Sequence, residues 1–160
     1  MQKYIDLLKK NITETSRGMI REPMGILHHP YIVPCSPESP YYSASLWDWD
    51  SWLTSVMMGQ IEADSGRTGE FVEYERGCTL NFLELSTPDG PMHTDPEKER
   101  AFKTNMHKPV LAQHMAFLAQ RNGGNADWAA GVLDIVQYLE RVPERLIPRK
   151  QELIEALKKQ

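Results

Sequence analysis

The chain has 160 residues, 25% of them charged, and a formal net charge of −4. This length suffices for one domain with a hydrophobic core. The basic residues are scattered, apart from a mild cluster near the C-terminus, which argues against a nucleic-acid-binding surface. No apolar run is long enough to cross a bilayer, and the N-terminus lacks the charged-then-apolar pattern of a signal peptide. We therefore expect one cytoplasmic domain over residues 1–160 that binds neither nucleic acid nor membrane.

The first predicted element is a short amphipathic helix over residues 2–16. Its apolar positions recur at three- and four-residue spacing on one face and are Tyr4, Leu7, Leu8 and Ile12. Gly18 and the prolines that follow it are expected to end this helix.

A proline-rich segment over residues 18–44 comes next. Its five prolines, at positions 23, 30, 34, 37 and 40, exclude a helix or a central strand. Apolar and aromatic residues along the segment predict an ordered loop that leads directly into the next helix. His28 and His29 are adjacent but have no further ligands at metal-binding spacing, so we do not expect a metal site there.

Residues 41–58, YYSASLWDWDSWLTSVMM, hold three of the four tryptophans of the chain. We predict a helix from Ser45 to about Ala63, with Ser45 as the N-cap and Asp48 completing a capping box. On a helical projection Asp48 falls opposite the apolar stripe, and Asp50 falls at its edge beside the tryptophans. The stripe that we expect to be buried follows helical spacing and consists of Leu46, Trp49, Leu53, Val56 and Met57.

The two aspartates of this segment have different interpretations. Asp48 caps the helix and interacts favourably with its N-terminal dipole. Asp50 is predicted to lose water beside the indole rings, which is costly unless a protein group or a polar ligand bonds to it. A carboxylate framed by indole rings suits a sugar, because it accepts hydroxyl hydrogen bonds while the indole faces cover the C–H faces of the ring. The alternative, which spacing alone favours, is a capped core helix with bulky packing residues.

A turn over residues 64–69 separates this helix from the next, which we predict over about residues 70–86. Cys78 is expected to be a plain buried thiol, and Asn81 a polar neighbour with its hydrogen bonds satisfied. The buried stripe of this helix is predicted to be Phe71, Tyr74, Cys78, Phe82 and Leu85.

The C-terminal half begins with a second long loop over residues 87–106. Residues 107–120 predict a helix that is apolar almost all round and should be buried on most sides. Gly123 and Gly124 are expected to cap its end. Asn125 is expected to cap a further helix that runs to about Arg141, and a last amphipathic piece begins near Pro148.

Helices therefore alternate with loops throughout, and no stretch has the alternation of a strand. This pattern predicts an all-α domain of stacked helical hairpins. The sequence contains no Gly-rich phosphate-binding loop, no nucleophile elbow and no HExxH motif, which excludes the enzyme classes built on those motifs.

Three motifs follow one another along the chain. The first is the proline-rich lead-in followed by WDSW at residues 49–52. The second is NFL at residues 81–83 with Asp89 and Gly90, and the third is KPVLA at residues 108–112. They resemble the W-D-S-[FYW], N-F-L…D-G and [QK]-P-P-x-L-A patterns of the glycoside hydrolases with an (α/α)6 toroid fold, in particular the trehalases, the processing α-glucosidases and the mannosylglycerate-type hydrolases. Together the motifs span roughly residues 18–140.

The resemblance implies a role for each matched position. Trp49 and Asp50 would line the −1 sugar subsite, with the acid holding ring hydroxyls. Tyr42 or Trp47 in the lead-in would also reach the sugar. His107, and with it Lys108, would supply a polar contact near the same subsite. The implied partner is a small saccharide or glycoside, and the resemblance implies neither a cofactor nor a metal.

The chain departs from this family in two respects. The toroid needs twelve helices, whereas this sequence predicts about six, and the G-x-D-N-S motif that carries the general acid is absent, as is the later motif of the general base. An inverting glycosidase needs two carboxylates about 6.5–9.5 Å apart. The resemblance therefore implies the carbohydrate-binding half of an inverting α-glycosidase-like enzyme, with no catalytic residues in this chain. Apolar helix faces left uncovered would favour a dimer or packing of a missing C-terminal half.

A different class of function fits the same residues. In a non-catalytic helical protein-interaction module, the tryptophans would contact another protein instead of a sugar. A metal hydrolase that uses His28 and His29 is a weaker third possibility, because further ligands are lacking. The first two hypotheses differ in the role of Asp50, whose carboxylate is needed only if the site binds a sugar.

Overall fold

A computed structural model describes residues 1–35, 38–39, 42–85, 94–95, 100–101, 110–125, 127–129, 151 and 155. Within this part of the chain the main elements are four helices, α1 (Gln2–Arg17), α2 (Asp48–Ser65), α3 (Val72–Glu84) and α4 (Leu111–Arg121). A single 3-10 turn, Asp127–Ala129, follows α4. The described residues are mostly helical, which confirms the predicted all-α character at this coarse level.

Two short antiparallel strand pairs accompany the helices. β1 (Ile20–Arg21) pairs with β2 (Tyr31–Ile32), with Ile20 opposite Ile32 and Arg21 opposite Tyr31. β3 (Thr94–Asp95) pairs with β4 (Arg100–Ala101). The sequence predicted loops at both places. A strand of two residues is too short to show an alternating pattern, and Pro30 precedes β2 instead of interrupting it, so the proline does not prevent the pairing.

The bounds of α1 and α2 partly confirm the predicted ones. α1 ends at Arg17, and Gly18 caps it. α2 begins at Asp48, because Trp47 has an extended backbone (φ −124°, ψ 134°) and occupies the N-cap position without a side-chain cap. The predicted capping box from Ser45 to Asp48 is therefore wrong. At its C-terminus α2 ends at Ser65, followed by Gly66 in the left-handed region at φ 68°, which confirms the predicted turn.

The predicted buried stripe of α2 is wrong at its three middle positions. Trp49, Leu53 and Val56 are 36%, 54% and 39% exposed. The side that packs inward carries mostly small or polar residues, namely Asp48, Ser51, Thr54, Ser55, Met58 and Glu62. Small side chains let α2 lie close to its neighbours, and the polar ones find partners there. Three of the five residues predicted to be buried therefore lie on the outer face, whereas Leu46 is buried and Met57 packs against the core, as predicted.

The core lies among β2, α3 and the residues around them. The predicted stripe of α3 is confirmed, with Phe71, Cys78 and Phe82 buried and with Tyr74 and Leu85 packed against the core. The rest of the buried cluster consists of Met19, Leu27, Tyr31, Ile32, Val33, Leu46 and Met58. Burial raises the pKa of the Cys78 thiol to about 12, as expected for a plain buried thiol.

α4 is less buried than the sequence predicted. Within the helix His114 and Leu118 are buried, whereas Ala112, Gln113 and Ala116 are exposed. The helix presents one side to α2 and α3 and leaves the other to solvent. Gly123 and Gly124 follow it with φ of 69° and 85°, which confirms that glycines end the helix.

α3 lies in close contact with the segment before β2. Asn81 donates from Nδ2 to the carbonyl oxygen of His29 at 2.9 Å, and its Oδ1 accepts from the backbone N–H of His29 at 3.0 Å. This confirms the predicted satisfied amide. One turn earlier on α3, a Cβ built on Gly77 would lie 1.7 Å from the carbonyl oxygen of Pro30. The approach of the two backbones therefore requires glycine at position 77.

Several predictions fall on residues outside the described part. These are most of the loop over residues 87–106, Asp89 and Gly90 of the second motif, the start of the helix at residues 107–109, and residues 130–141 of the next predicted helix. At the start of that helix the structure describes the 3-10 turn Asp127–Ala129, and Asn125 Oδ1 accepts from the N–H of Asp127 at 2.7 Å, as expected of a cap. Gln151 and Glu155 have helical backbone, in the region of the last predicted piece. In the residues that the structure describes, no helix is both long enough and apolar enough to span a membrane.

We predict that Gly77→Ala destabilises the protein by about 3 kcal/mol, because its new methyl group overlaps a backbone carbonyl that cannot move aside without shifting α3 or β2. Gly66→Ala is the matched control. It meets no atom within 4 Å and should cost only about 1 kcal/mol for its left-handed φ. Urea unfolding of both variants measures the difference, and equal losses would contradict the close approach.

Candidate functional site

The segment that leads into α2 is fixed by side chains from the first strand pair. The buried phenol of Tyr31 donates to the carbonyl oxygen of Ala44 at 2.7 Å. Arg21 donates from Nε to the carbonyl oxygen of Ser43 at 2.8 Å. The carbonyl oxygen of Trp47 accepts from both the N–H and the hydroxyl of Ser51. These bonds fix the backbone from which the aromatic residues project.

Four aromatic side chains lie at the start of α2. The rings of Tyr42 and Trp47 meet edge-on, with centroids 5.2 Å apart. The rings of Trp49 and Trp52 are tilted against each other, with centroids 6.1 Å apart. Tyr42 is 45% exposed and Trp49 is 36% exposed, while Trp47 and Trp52 are half-buried. The structure therefore forms two ring pairs at the N-terminal end of α2, each with one ring open to solvent.

The two aspartates at this end of α2 are placed opposite to our expectation. Asp50 is exposed, so the prediction that its carboxylate loses water is wrong. Asp48 is buried, with 7% of its surface accessible. The reason is that the inward side of α2 is the small and polar side, on which Asp48 lies. Asp50 lies instead on the side of the exposed rings, where a ligand from solvent can reach its oxygens.

The remaining residues of the predicted site cannot be placed beside these. His107 and Lys108 lie outside the described residues. Tyr42, Trp47, Trp49 and Asp50 all fall within the first turn of α2 or just before it. This set offers flat apolar ring faces together with one charged acceptor, an arrangement that can bind a polar molecule with apolar faces.

A second group of ionisable residues was not anticipated from the sequence. Glu62 and Glu75 are 1% and 0% exposed, and Arg121 contacts both. Its Nη2 donates to Glu62 at 2.6 Å, and its Nη1 donates to both oxygens of Glu75 at 2.7 and 2.6 Å. Glu62 also accepts from the backbone N–H groups of Gly69 and Phe71. The sequence of α2 did contain a pattern that indicates this buried side, because Ser51, Ser55, Met58 and Glu62 recur at helical spacing.

The two carboxylates of this cluster are not arranged as a general acid and a general base. In an inverting glycosidase one carboxyl group is free to protonate the leaving group, and the other is free to activate water. Here both carboxylates are occupied by Arg121, and Glu62 in addition by two backbone donors. The cluster therefore joins helices instead of facing a substrate.

The adjacent histidines share one carboxylate partner. Nδ1 of His28 lies 3.1 Å from one oxygen of Glu84, and Nε2 of His29 lies 2.8 Å from the other. Within the described part of the chain, no group of three or more His, Cys, Asp or Glu residues is arranged to hold a metal ion. The histidine pair is accounted for by this surface contact with α3.

No protein-family model matches the chain, and comparison with curated proteins and with solved structures gives no match. The likeness to toroid glycosidases therefore depends on the sequence motifs, and any function must be argued from the residues themselves.

The different burial of the two aspartates gives a direct test of this geometry. We predict that Asp48→Ala lowers the free energy of unfolding by about 1–2 kcal/mol, because it removes a buried carboxylate from the N-terminus of α2. Asp50→Ala, two residues further on, should change it by less than about 0.5 kcal/mol because the side chain is exposed. Urea unfolding of the two variants makes the comparison, and a larger loss for Asp50→Ala would contradict the orientation of α2.

Proposed function

We propose that this chain is the carbohydrate-binding portion of a glycoside hydrolase of the toroid type, acting on a small saccharide or glycoside, and that the catalytic acid and base are not among its residues. The observation that carries the proposal is one exposed carboxylate, that of Asp50, in the first turn of α2 next to the exposed indole of Trp49. The motif resemblance supports it, because Trp49 and Asp50 are the positions that it assigns to the sugar.

The chemistry of a sugar fits these groups. A carboxylate accepts charge-assisted hydrogen bonds from neighbouring hydroxyl groups, which are stronger than neutral ones. The face of an indole ring covers the apolar C–H face of the same sugar ring. Because Asp50 is well hydrated, each hydrogen bond replaces one to water and gains only about 1 kcal/mol. We therefore expect weak binding, with a Kd of order 1 mM, or about −4 kcal/mol.

The same geometry supports binding without hydrolysis. Asp50 and Asp48 lie on different sides of α2, one exposed and one buried, so they do not face a common space. The pair formed by Glu62 and Glu75 is bound by Arg121. We propose that the acid and base come from a further part of the enzyme, which would complete the toroid.

Titration with trehalose, kojibiose, glucosylglycerate and mannosylglycerate, followed by saturation-transfer NMR and tryptophan fluorescence, tests this proposal. We predict that at least one of them binds, and that Asp50→Ala weakens it by at least tenfold, a loss of about 1.4 kcal/mol. Trp49→Ala should weaken it similarly, because it removes an exposed ring face.

The matched control is Glu73→Gln, which removes an exposed carboxylate on α3 and should leave binding unchanged. Circular dichroism shows whether each variant keeps its helices. The proposal fails if none of the four compounds binds, or if Asp50→Ala binds as the unaltered chain does. Clear release of glucose or mannose would contradict the absence of catalytic residues.

A protein-interaction module remains the second candidate, and one observation favours it. Tyr4, Leu7 and Leu8 of α1 are 74%, 62% and 60% exposed, although the helix is amphipathic. This apolar side borders a cleft of about 400 Å³ between α1 and α2, lined among others by Ile12 and Leu53. Exposed apolar surface of this extent marks a contact site on many proteins.

If this surface associates with a second copy of the chain, we predict a monomer–dimer equilibrium in the micromolar range. Leu8→Glu should then give monomer, because it places a charge in the apolar surface. Lys10→Glu introduces the same residue at an exposed position that carries a charge already, and should leave association unchanged. Sedimentation velocity at several concentrations measures both. A chain that is monomeric throughout would leave the sugar site as the better-supported function.

A further inference from the structure

A cleft of about 530 Å³ lies between α3 and the segment before β2, away from the residues of the candidate sugar site. Two charged residues of α3, Arg76 and Glu73, are part of its lining. His29 lies on the opposite wall, where its ring is held by Glu84 at 2.8 Å. The lining also contains three apolar side chains, those of Pro30, Val72 and Leu80. The cleft therefore combines an apolar wall with one guanidinium.

Two buried N–H groups without an acceptor meet at Arg76. Within the described part of the chain, Nε of Arg76 and Nε1 of Trp128 are both closed to solvent, and neither has a hydrogen-bond partner. The two side chains are in contact, because Cζ of Arg76 lies 5.6 Å from the centroid of the Trp128 ring. Nearly all buried polar groups in proteins are hydrogen-bonded, so two unpaired donors side by side indicate an acceptor that comes from outside the chain.

The charges around Arg76 limit what this acceptor can be. Arg76 interacts electrostatically with Glu75, which Arg121 binds together with Glu62. Two carboxylates and two guanidinium groups sum to zero, so Arg76 has its charge balanced while its hydrogen-bond donors remain unused. An entering anion therefore gains hydrogen bonds from a charged donor but is repelled by Glu73 on the cleft wall. This arrangement favours a ligand with one negative charge over a ligand with two.

We propose that this cleft binds a small organic carboxylate with a single negative charge, whose oxygens accept hydrogen bonds from Arg76 and from the indole N–H of Trp128. A guanidinium presents parallel N–H groups that match the two oxygens of a carboxylate. The apolar body of the ligand packs on Val72 and Leu80. Both unpaired donor atoms are closed to solvent without the ligand, so the Trp128 ring shifts as the carboxylate enters. The site shares no residue with the candidate sugar site and does not depend on it.

Titration of the full chain with benzoate, followed by nitrogen-15 NMR of the indole and guanidinium N–H groups, tests the proposal. Benzoate should bind with a Kd of order 1 mM and should move the signals of Trp128 Nε1 and Arg76 Nε, because both groups gain an acceptor. Trp128→Phe identifies the indole signal. Benzamide has nearly the same shape without the charge, and should bind about tenfold more weakly because hydrogen bonds to a charged group are stronger.

Phthalate carries a second carboxylate on the same ring and tests the part played by Glu73. It should bind roughly threefold more weakly than benzoate, because its second charge is repelled. Glu73→Gln removes that repulsion and should bring the two affinities closer together. If phthalate binds more tightly than benzoate to the unaltered chain, the preference for a single charge is wrong.

A pair of arginine variants separates this site from general attraction of anions to basic residues. Arg76→Gln should weaken benzoate binding at least tenfold, because it removes the charged donor. Arg67→Gln is the matched control, since that guanidinium is bound by Glu70 and is not part of the cleft lining, and should leave binding unchanged. Circular dichroism shows whether both variants keep their helices, and the comparison of benzoate with benzamide needs no variant. The proposal is overturned if benzoate binds no better than benzamide, if the Trp128 and Arg76 signals do not move, or if Arg67→Gln weakens binding as much as Arg76→Gln.

Discussion

The buried contact of Arg121 with Glu62 and Glu75 determines how the helices are arranged. One guanidinium joins three helices that are far apart in sequence, and Glu62 additionally orders the turn before α3 through the N–H groups of Gly69 and Phe71. Gly59 leaves the space that the guanidinium occupies, since a Cβ there would lie 2.6 Å from it. A contact of this kind is sensitive to loss of one partner, at about 3–5 kcal/mol, because the remaining charges cannot regain water.

The orientation of α2 follows from this contact. For Glu62 to reach Arg121, the helix must turn inward the side that also carries Ser51, Ser55 and Met58. Trp49, Leu53 and Val56 are then directed outward, whatever their hydrophobicity favours. The exposed aromatic surface and the buried ionic cluster are therefore two consequences of a single helix rotation. The candidate sugar site exists as a surface because the polar side of the same helix is occupied elsewhere.

The sequence was informative where one signal acted alone. The stripe of α3, the turn after α2, the glycines that end α4, and the position of α1 were all predicted, because spacing or backbone conformation decides them locally. Which side of α2 is buried could not be predicted in this way. The helix carries an apolar stripe and a stripe of small and polar residues, and either could face the core. The choice depends on Glu75 and Arg121, which come close to α2 only in the folded chain. β1 and β2 were missed because a strand of two residues carries no periodicity. For the candidate site, the sequence predicted that Asp50 would lose water beside the tryptophans, whereas its side chain is exposed.

The exposed carboxylate of Asp50 limits which kind of molecule can pack on the apolar side chains next to it. If a purely apolar protein surface packed on Trp49 and Leu53, the carboxylate beside them would lose its water without gaining donors, at a cost of several kcal/mol. A polyol carries hydroxyl donors and apolar C–H faces within one ring, so it can satisfy the carboxylate and cover the indole at once. The apolar side of α1, by contrast, has no such acid among Tyr4, Leu7 and Leu8, and suits a protein partner better. The two surfaces thus differ in the chemistry that they can accept, and a sugar at α2 is compatible with a protein contact at α1.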